Sequence, residues 1–96
     1  MQILMVEDED VWADKATEAV TAEPGWTLER VATGRDALAR AASSAVDVLV
    51  IDRVIETDGT DGLDLLTRLR DMGVVAPALI LSSLGQTHQR VEGLEA

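Results

Sequence analysis

The sequence predicts an α/β domain with a doubly wound parallel sheet, and three observations lead to this fold class. Short, largely apolar runs end abruptly at polar residues, as is typical of strands buried on both faces. Longer segments between them carry apolar residues at the three- and four-residue spacing of amphipathic helices. The two kinds of segment alternate along the chain, which favours parallel strands joined by right-handed helical crossovers.

The composition fits one small domain. Hydrophobic residues make up 47% of the 96 residues and charged residues 27%, enough apolar surface for a single folded core. The formal charge of −10 would repel nucleic acid and anionic membranes. Cysteine is absent, which excludes disulfides and thiolate metal sites, and the sequence has neither a basic leader nor a long apolar run. We expect one cytoplasmic domain with no direct contact to nucleic acid or membrane.

The first two strand–helix units are predicted as follows. The first strand covers residues 3–6, where an apolar run stops at four consecutive acidic residues. The first helix covers residues 10–22 and is ended by a Pro-Gly pair. The second strand covers residues 26–32, which alternate and are rich in strand formers. Thr33 is a suitable cap for the second helix, whose apolar face spans residues 37–45.

The second half repeats the alternation. Residues 46–51 are the most strand-like stretch of the chain and end at Asp52. A loop containing Gly and Asp leads into a third helix, with leucines at helical spacing over residues 63–72. A fourth strand is predicted over residues 78–81, and a shorter helical pattern over residues 87–96 predicts a fourth helix.

Polar side chains follow three of the predicted strands. Glu7 and Asp8 follow the first strand, Asp52 the third, and Ser82 and Ser83 the fourth. Taken singly, these residues have simpler explanations, because acids stabilise a helix start and Asp or Ser can satisfy backbone groups at a strand end. The carboxyl ends of parallel strands, however, meet at one edge of the sheet, where such folds bind ligands. We therefore expect these side chains to form one site.

Three carboxylates in one site would repel one another strongly, and a hard divalent cation is the simplest compensation. Oxygen ligands and retained waters favour Mg²⁺. With its charge neutralised, an incoming phosphoryl group could be attacked in line by the carboxylate of Asp52 to form an acyl phosphate. The hydroxyl of Ser82 could then bind a phosphoryl oxygen. The residues thus predict a magnesium site beside a phosphoryl acceptor.

Four sequence blocks in order resemble the response-regulator receiver family of two-component signalling: ILMVEDED, VDVLVIDR, DGLDLLTRLR and PALILSSLGQTHQRVEGLEA. The resemblance implies that Asp52 is the phosphoacceptor and that Glu7 and Asp8 are the acidic pair that holds Mg²⁺. It also implies that the backbone carbonyl of Val54 is a metal ligand. Ser82 falls at the family's hydroxyl switch position, where movement towards the phosphoryl group biases a two-state equilibrium.

The resemblance further implies a flavodoxin-like fold and a sensor histidine kinase or phosphotransfer protein as phosphoryl donor. The final block is most similar to the winged-helix transcription-factor subclass, in which a DNA-binding effector domain follows the receiver. A homodimer of the full-length protein is a further expectation. The module is not expected to be an enzyme, apart from catalysing its own phosphoryl transfer and dephosphorylation.

The sequence departs from the family pattern in two places. The family has an essential lysine after a fifth strand, whereas the sole lysine here is Lys15, within the first predicted helix. We therefore expect residues 1–96 to be a C-terminally incomplete receiver domain, with four strand–helix units, no fifth strand or helix and no effector domain. The loop between Asp52 and Asp61 is also longer than the family's, with Glu56 in place of a proline.

Three other functions fit these residues less well than the receiver interpretation. A haloacid-dehalogenase-like phosphatase would need a second aspartate where this chain has Val54. A flavodoxin-like nucleotide binder would need a Gly- or hydroxyl-rich loop after the first strand, where four acids stand instead. A receiver-like interaction module that is never phosphorylated is the main alternative, since a fold does not guarantee a function. The only histidine, His88, is expected to be a solvated side chain.

Overall fold

The computed structural model describes the backbone of residues 1–84 and 88–95 and the side chains of residues 1–82. The strands are β1 (Gln2–Val6), β2 (Thr27–Val31), β3 (Val48–Asp52), β4 (Val54–Ile55), β5 (Thr60–Asp61), β6 (Ala78–Leu84) and β7 (His88–Glu95). The helices are α1 (Asp10–Thr21), α2 (Gly34–Ser43) and α3 (Gly62–Asp71). No helix in this part of the chain is long and apolar enough to cross a membrane.

The main sheet has the strand order β2-β1-β3-β6-β7, and β4 pairs with β5 in a separate ribbon. The pairs β1–β2, β1–β3 and β3–β6 are parallel, as the alternation of strands and helices predicts. The chain passes from one side of β1 to the other between β2 and β3. Residues that follow β1 and β3 therefore lie at the point where the strand order reverses, the usual ligand site of such sheets. The predicted fold class is confirmed.

The last described segment differs from its prediction. A fourth helix over residues 87–96 is wrong, because His88–Glu95 forms strand β7, antiparallel to β6. Thr87 and Ala96 lie outside the described residues. Pairing with β7 satisfies backbone N–H and C=O groups along the edge of β6, whereas two apolar residues at helical spacing are a weak helix signal. The fourth strand is also longer than predicted, so Ser82 lies within β6 rather than after it.

The apolar core lies where the central strands meet α2 and α3. Its buried members are Leu4, Val6, Ala37, Leu49, Ile51, Ile55, Leu65, Leu66, Leu69, Ala76, Ala78 and Ile80. The central strands β1 and β3 contribute from their alternating positions, and α3 contributes three leucines from one face. This packing holds the carboxyl ends of β1 and β3 side by side.

Side chains cap the two helices that cover the core. Thr33 accepts a hydrogen bond from the backbone N–H of Asp36 at 3.1 Å, so its predicted capping role at α2 is confirmed. Asp61 caps α3 by accepting the N–H of Leu63 at 2.8 Å. Each cap satisfies a backbone donor that the first helical turn leaves without a partner.

The start of α3 packs directly against the end of β3. The N–H of Gly62 donates to the carbonyl of Arg53 at 2.6 Å. A Cβ atom at Gly62 would overlap the backbone oxygen of Asp52 and lie 3.1 Å from the Cα of Arg53. Glycine is therefore required here by close approach, and this contact fixes Asp52 relative to α3.

We predict that Gly62→Ala destabilises the protein, although alanine usually stabilises a helix relative to glycine by roughly 0.5–1 kcal/mol. Overlap with the β3 backbone reverses the sign, with an expected loss of about 2 kcal/mol in the free energy of unfolding. Urea denaturation measures this change. Thr67→Ala, at an exposed position of the same helix, is the control and should change stability by less than about 0.5 kcal/mol. A more stable Gly62→Ala protein would contradict the packing argument.

Candidate functional site

Three carboxylates meet at the carboxyl ends of β1 and β3. Glu7 and Asp8 directly follow β1, and Asp52 is the last residue of β3. One oxygen from each side chain lies within 4.8 Å of the others. Glu7 is fully buried and Asp52 is 6% exposed, whereas Asp8 is partly exposed. The structure thus brings together the three acids that the sequence places at this edge; we call them the acidic triad.

A cavity of about 330 Å³ opens beside the acidic triad. Its lining residues are Asp8, Glu9, Asp52, Arg53, Val54, Glu56 and Ser82. Ser82 reaches it from β6, the neighbour of β3, one residue beyond the Asp52–Leu81 pair. Val54 lies in β4, two residues after Asp52. The side chain of Ser83 lies outside the described residues. Asp52, Ser82 and Val54 therefore share one cavity, although their predicted roles stay predictions.

The pKa of Asp52 is raised to about 7, and burial is the largest cause. The charge of Glu7, a hydrogen bond with Glu7 and the charge of Asp8 also contribute to this rise, while a hydrogen bond from the backbone amide of Val54 acts in the opposite direction. The carboxylates therefore destabilise one another when all are ionised. An all-oxygen donor set with excess negative charge suits a hard divalent cation, so these residues could hold a metal ion.

Arg30 supports the loop that carries Glu7 and Asp8. Its Nε donates to the backbone oxygen of Glu7 at 2.6 Å, and its Nη1 lies 2.9 Å from Oδ1 of Asp10. The N–H of Glu7 also donates to the carbonyl of Val31 at 3.0 Å. Arg30 is not among the residues that the sequence pattern predicts for this site. The sequence feature that could have indicated its role is a basic residue near the carboxyl end of β2. This strand lies next to β1, which the acidic residues follow.

The segment after Asp52 forms the β4–β5 ribbon, where the sequence predicted only a long loop. Val54 pairs with Asp61 and Ile55 with Thr60, and the side chain of Ile55 is fully buried. At the tip of the ribbon, Thr57 donates two hydrogen bonds to Asp8. This contact was not predicted either, because the extra length of the loop is the only feature of the sequence that indicates it.

Arg53 and Lys15 occupy different environments. Arg53 lines the cavity, with its Nε 3.7 Å from Oδ1 of Asp61. Lys15 lies exposed on α1, and its ammonium group is 5.9 Å from the ring centroid of Trp12. Arg53 is thus the basic residue among those that line the described cavity.

Comparison with known proteins gives a consistent result. A profile of the family described as the response regulator receiver domain matches residues 3–96. The transcriptional regulatory protein TcrA of Mycobacterium tuberculosis is 36% identical over 95 residues, covering 99% of this chain and 36% of TcrA. The two-component response regulator PhoP of Pseudomonas aeruginosa is 35% identical over 96 residues, covering 100% of this chain and 41% of PhoP. The chain therefore spans well under half the length of these relatives.

The fold is likewise similar to solved structures. The receiver domain of the Francisella response regulator 1452 superposes with a TM-score of 0.76 at 28% sequence identity. The match covers 90% of this chain and 69% of that domain.

We predict that the metal-free protein loses stability as the pH rises from about 4 to about 7. The folded protein keeps a proton on Asp52 up to a pKa of about 7, whereas the unfolded chain loses it near 3.8. The unfolded state therefore binds fewer protons in this range, and the free energy of unfolding falls. Asp52→Asn removes this dependence and should be more stable than the parent at pH 8, by up to about 4 kcal/mol.

Urea denaturation in EDTA at pH 5 and pH 8 measures this effect. The control is Asp14→Asn, because Asp14 is exposed on α1 and should leave the pH dependence unchanged. Equal pH dependence in the parent and in Asp52→Asn would show that ionisation of Asp52 does not destabilise the folded protein.

Proposed function

Because this chain belongs to the response-regulator receiver family, we propose that it is the phosphoacceptor module of a two-component system, with Asp52 as the acceptor. The phosphoryl donor is a sensor histidine kinase or a phosphotransfer protein. One observation carries the proposal: Asp52 is nearly buried beside two further carboxylates, in a cavity that Ser82 also lines. Burying like charges is costly, and a module that acted only through protein contacts would have no use for them.

We propose that the acidic triad holds Mg²⁺, with the backbone carbonyl of Val54 as a further ligand. The donor set consists of hard oxygen atoms, which Mg²⁺ prefers. When bound, the ion supplies positive charge that offsets both the acceptor carboxylate and the anionic phosphoryl group. The same charge favours the ionised form of Asp52, which is the form that can act as a nucleophile.

In the transfer step, a carboxylate oxygen of Asp52 forms a bond to phosphorus, in line with the bond that breaks. That bond joins phosphorus to the imidazole nitrogen of the donor histidine, and its electron pair returns to the imidazole. The product on Asp52 is an acyl phosphate. Hydrolysis by water restores the carboxylate and releases phosphate, which would make the module its own phosphatase.

Ser82 is proposed to connect the phosphoryl group to the rest of the protein. Its hydroxyl would donate to a phosphoryl oxygen only in the phosphorylated state, and a contact made in one state alone shifts a two-state equilibrium. Ser82 lies in β6, which pairs with β3 on one side and β7 on the other. A change at Ser82 can therefore be passed to the edge of the sheet.

The output of the whole protein is proposed from its relatives. TcrA is named a transcriptional regulatory protein and PhoP a two-component response regulator. We infer that residues 1–96 are the receiver domain of a cytoplasmic regulator whose effector is of the winged-helix type, and that the full-length protein forms a homodimer. The charge of −10 disfavours DNA contact by this module, which leaves that contact to the effector.

We predict that acetyl phosphate and Mg²⁺ add one phosphoryl group to the full-length protein and that Asp52→Asn abolishes the addition, because the amide is not a nucleophile for phosphorus. Intact-mass spectrometry measures the change. Asp14→Asn, which alters an exposed carboxylate on α1, should be labelled like the parent. Labelling that persists in Asp52→Asn would refute the acceptor assignment, and an unlabelled parent would favour the interaction module.

We further predict that Mg²⁺ stabilises the full-length protein. At ten times its Kd, the ion should contribute about 1.4 kcal/mol, or a rise in Tm of roughly 5–10 °C for a domain of this size. Asp52→Asn should reduce this rise, because one charged ligand is lost. Thermal melts in MgCl₂ are compared with melts in NaCl of equal ionic strength. An identical Tm in both salts would contradict a metal site.

A further inference from the structure

The acidic triad is held on one side by the tip of the β4–β5 ribbon. Oδ2 of Asp8 accepts the backbone N–H of Thr57 at 3.1 Å and the Thr57 hydroxyl at 3.2 Å. Two donors from one residue that reach the same oxygen restrict rotation of the carboxylate. The carboxylate has a second oxygen with which to bind a cation. These two hydrogen bonds leave Oδ1 of Asp8 as the oxygen that Thr57 does not contact.

The ribbon tip is also anchored on its other side, to the start of α2. Oδ2 of Asp58 accepts the N–H of Gly34 at 2.9 Å, and Oδ1 of Asp58 accepts the N–H of Thr60 at 3.2 Å. A Cβ atom at Gly34 would lie 2.7 Å from Oγ1 of Thr60, so the ribbon packs closely against α2. Thr57 is thus fixed to a rigid element of the fold, although its own side chain is exposed.

We propose that Thr57 is a positioning residue that orients Asp8 for the cation, and that Asp58 anchors Thr57 to α2. This inference rests on the proposed function, because it presupposes a cation at the acidic triad. A ligand whose orientation is already restricted loses less conformational freedom when it binds. Residues that orient a metal ligand accordingly contribute to metal affinity without touching the ion.

The test compares Mg²⁺ affinities of Thr57 variants of the full-length protein, taken from fits of the rise in stability with Mg²⁺ concentration c to RT ln(1 + c/Kd). Thr57→Val removes the hydroxyl at similar volume and keeps the backbone N–H. We expect it to weaken Mg²⁺ binding roughly tenfold, the lower end for a residue that orients a metal ligand. Thr57→Ser restores the hydroxyl and should recover most of the affinity. Thr67→Val makes the same chemical change on α3 and should have no effect.

Asp58→Asn tests the anchor, because one of its two acceptor oxygens is replaced by a donor group. It also removes a negative charge, so the single variant alone does not separate the two effects. If Asp58 acts through Thr57, the loss caused by Asp58→Asn is smaller in the Thr57→Val background than in the parent. Equal losses in both backgrounds would mean that Asp58 acts by charge alone and would overturn the anchoring role.

A merely structural Thr57 gives a different pattern. Thr57→Val would then lower the stability measured in EDTA and leave the Mg²⁺ affinity unchanged, which would overturn the positioning role while the parent still binds Mg²⁺. A parent whose Tm does not respond to Mg²⁺ would overturn the metal site and this inference together. The two failures are therefore distinguished by the behaviour of the parent.

Discussion

The close approach of three carboxylates at the ends of β1 and β3 is the constraint on which the surrounding structure depends. Glu7 is fully buried and Asp52 nearly so, and water screens such charges poorly. The pKa of Asp52 near 7 reflects burial first and then this repulsion. The neighbouring contacts oppose it by fixing backbone and side chains: Arg30 binds the loop after β1, and Thr57 binds Asp8. The charge itself remains in excess until a cation or a proton is bound.

Burial of the apolar core offsets the destabilisation that the acidic triad causes. Leu4, Leu49, Leu65 and Leu69 are almost completely removed from water, and burial of such a side chain contributes about 1.5–3 kcal/mol. A few of them offset a local destabilisation of the size expected for Asp52. The same packing holds β1 and β3 in parallel register, which keeps the acids together in the absence of a ligand. Apolar packing on a face of the sheet thus stabilises the domain, while the acids lie at the carboxyl edge of the same sheet.

Periodicity in the sequence predicted the first four parallel strands, the three described helices and the edge at which the acids meet. These predictions succeeded because they depend on local pattern and on one topological rule. The strand β7 was not predicted, since its hydrogen bonds go to β6 and a short pattern cannot show which backbone groups need partners. The contacts of Arg30 and Thr57 were missed for a related reason: each joins segments far apart in sequence. The chemical roles of Asp52 and Ser82 remain predictions.

The β4–β5 ribbon separates the length of this loop from the position of Asp52. The N–H of Gly62 binds the carbonyl of Arg53, and Val54 pairs with Asp61, so the ribbon is closed at its base. Residues can be gained or lost at the tip without moving the end of β3 or the start of α3. Evolution can therefore vary how far the tip reaches over the cavity, and with it the access of water to that cavity, while Asp52 stays in place.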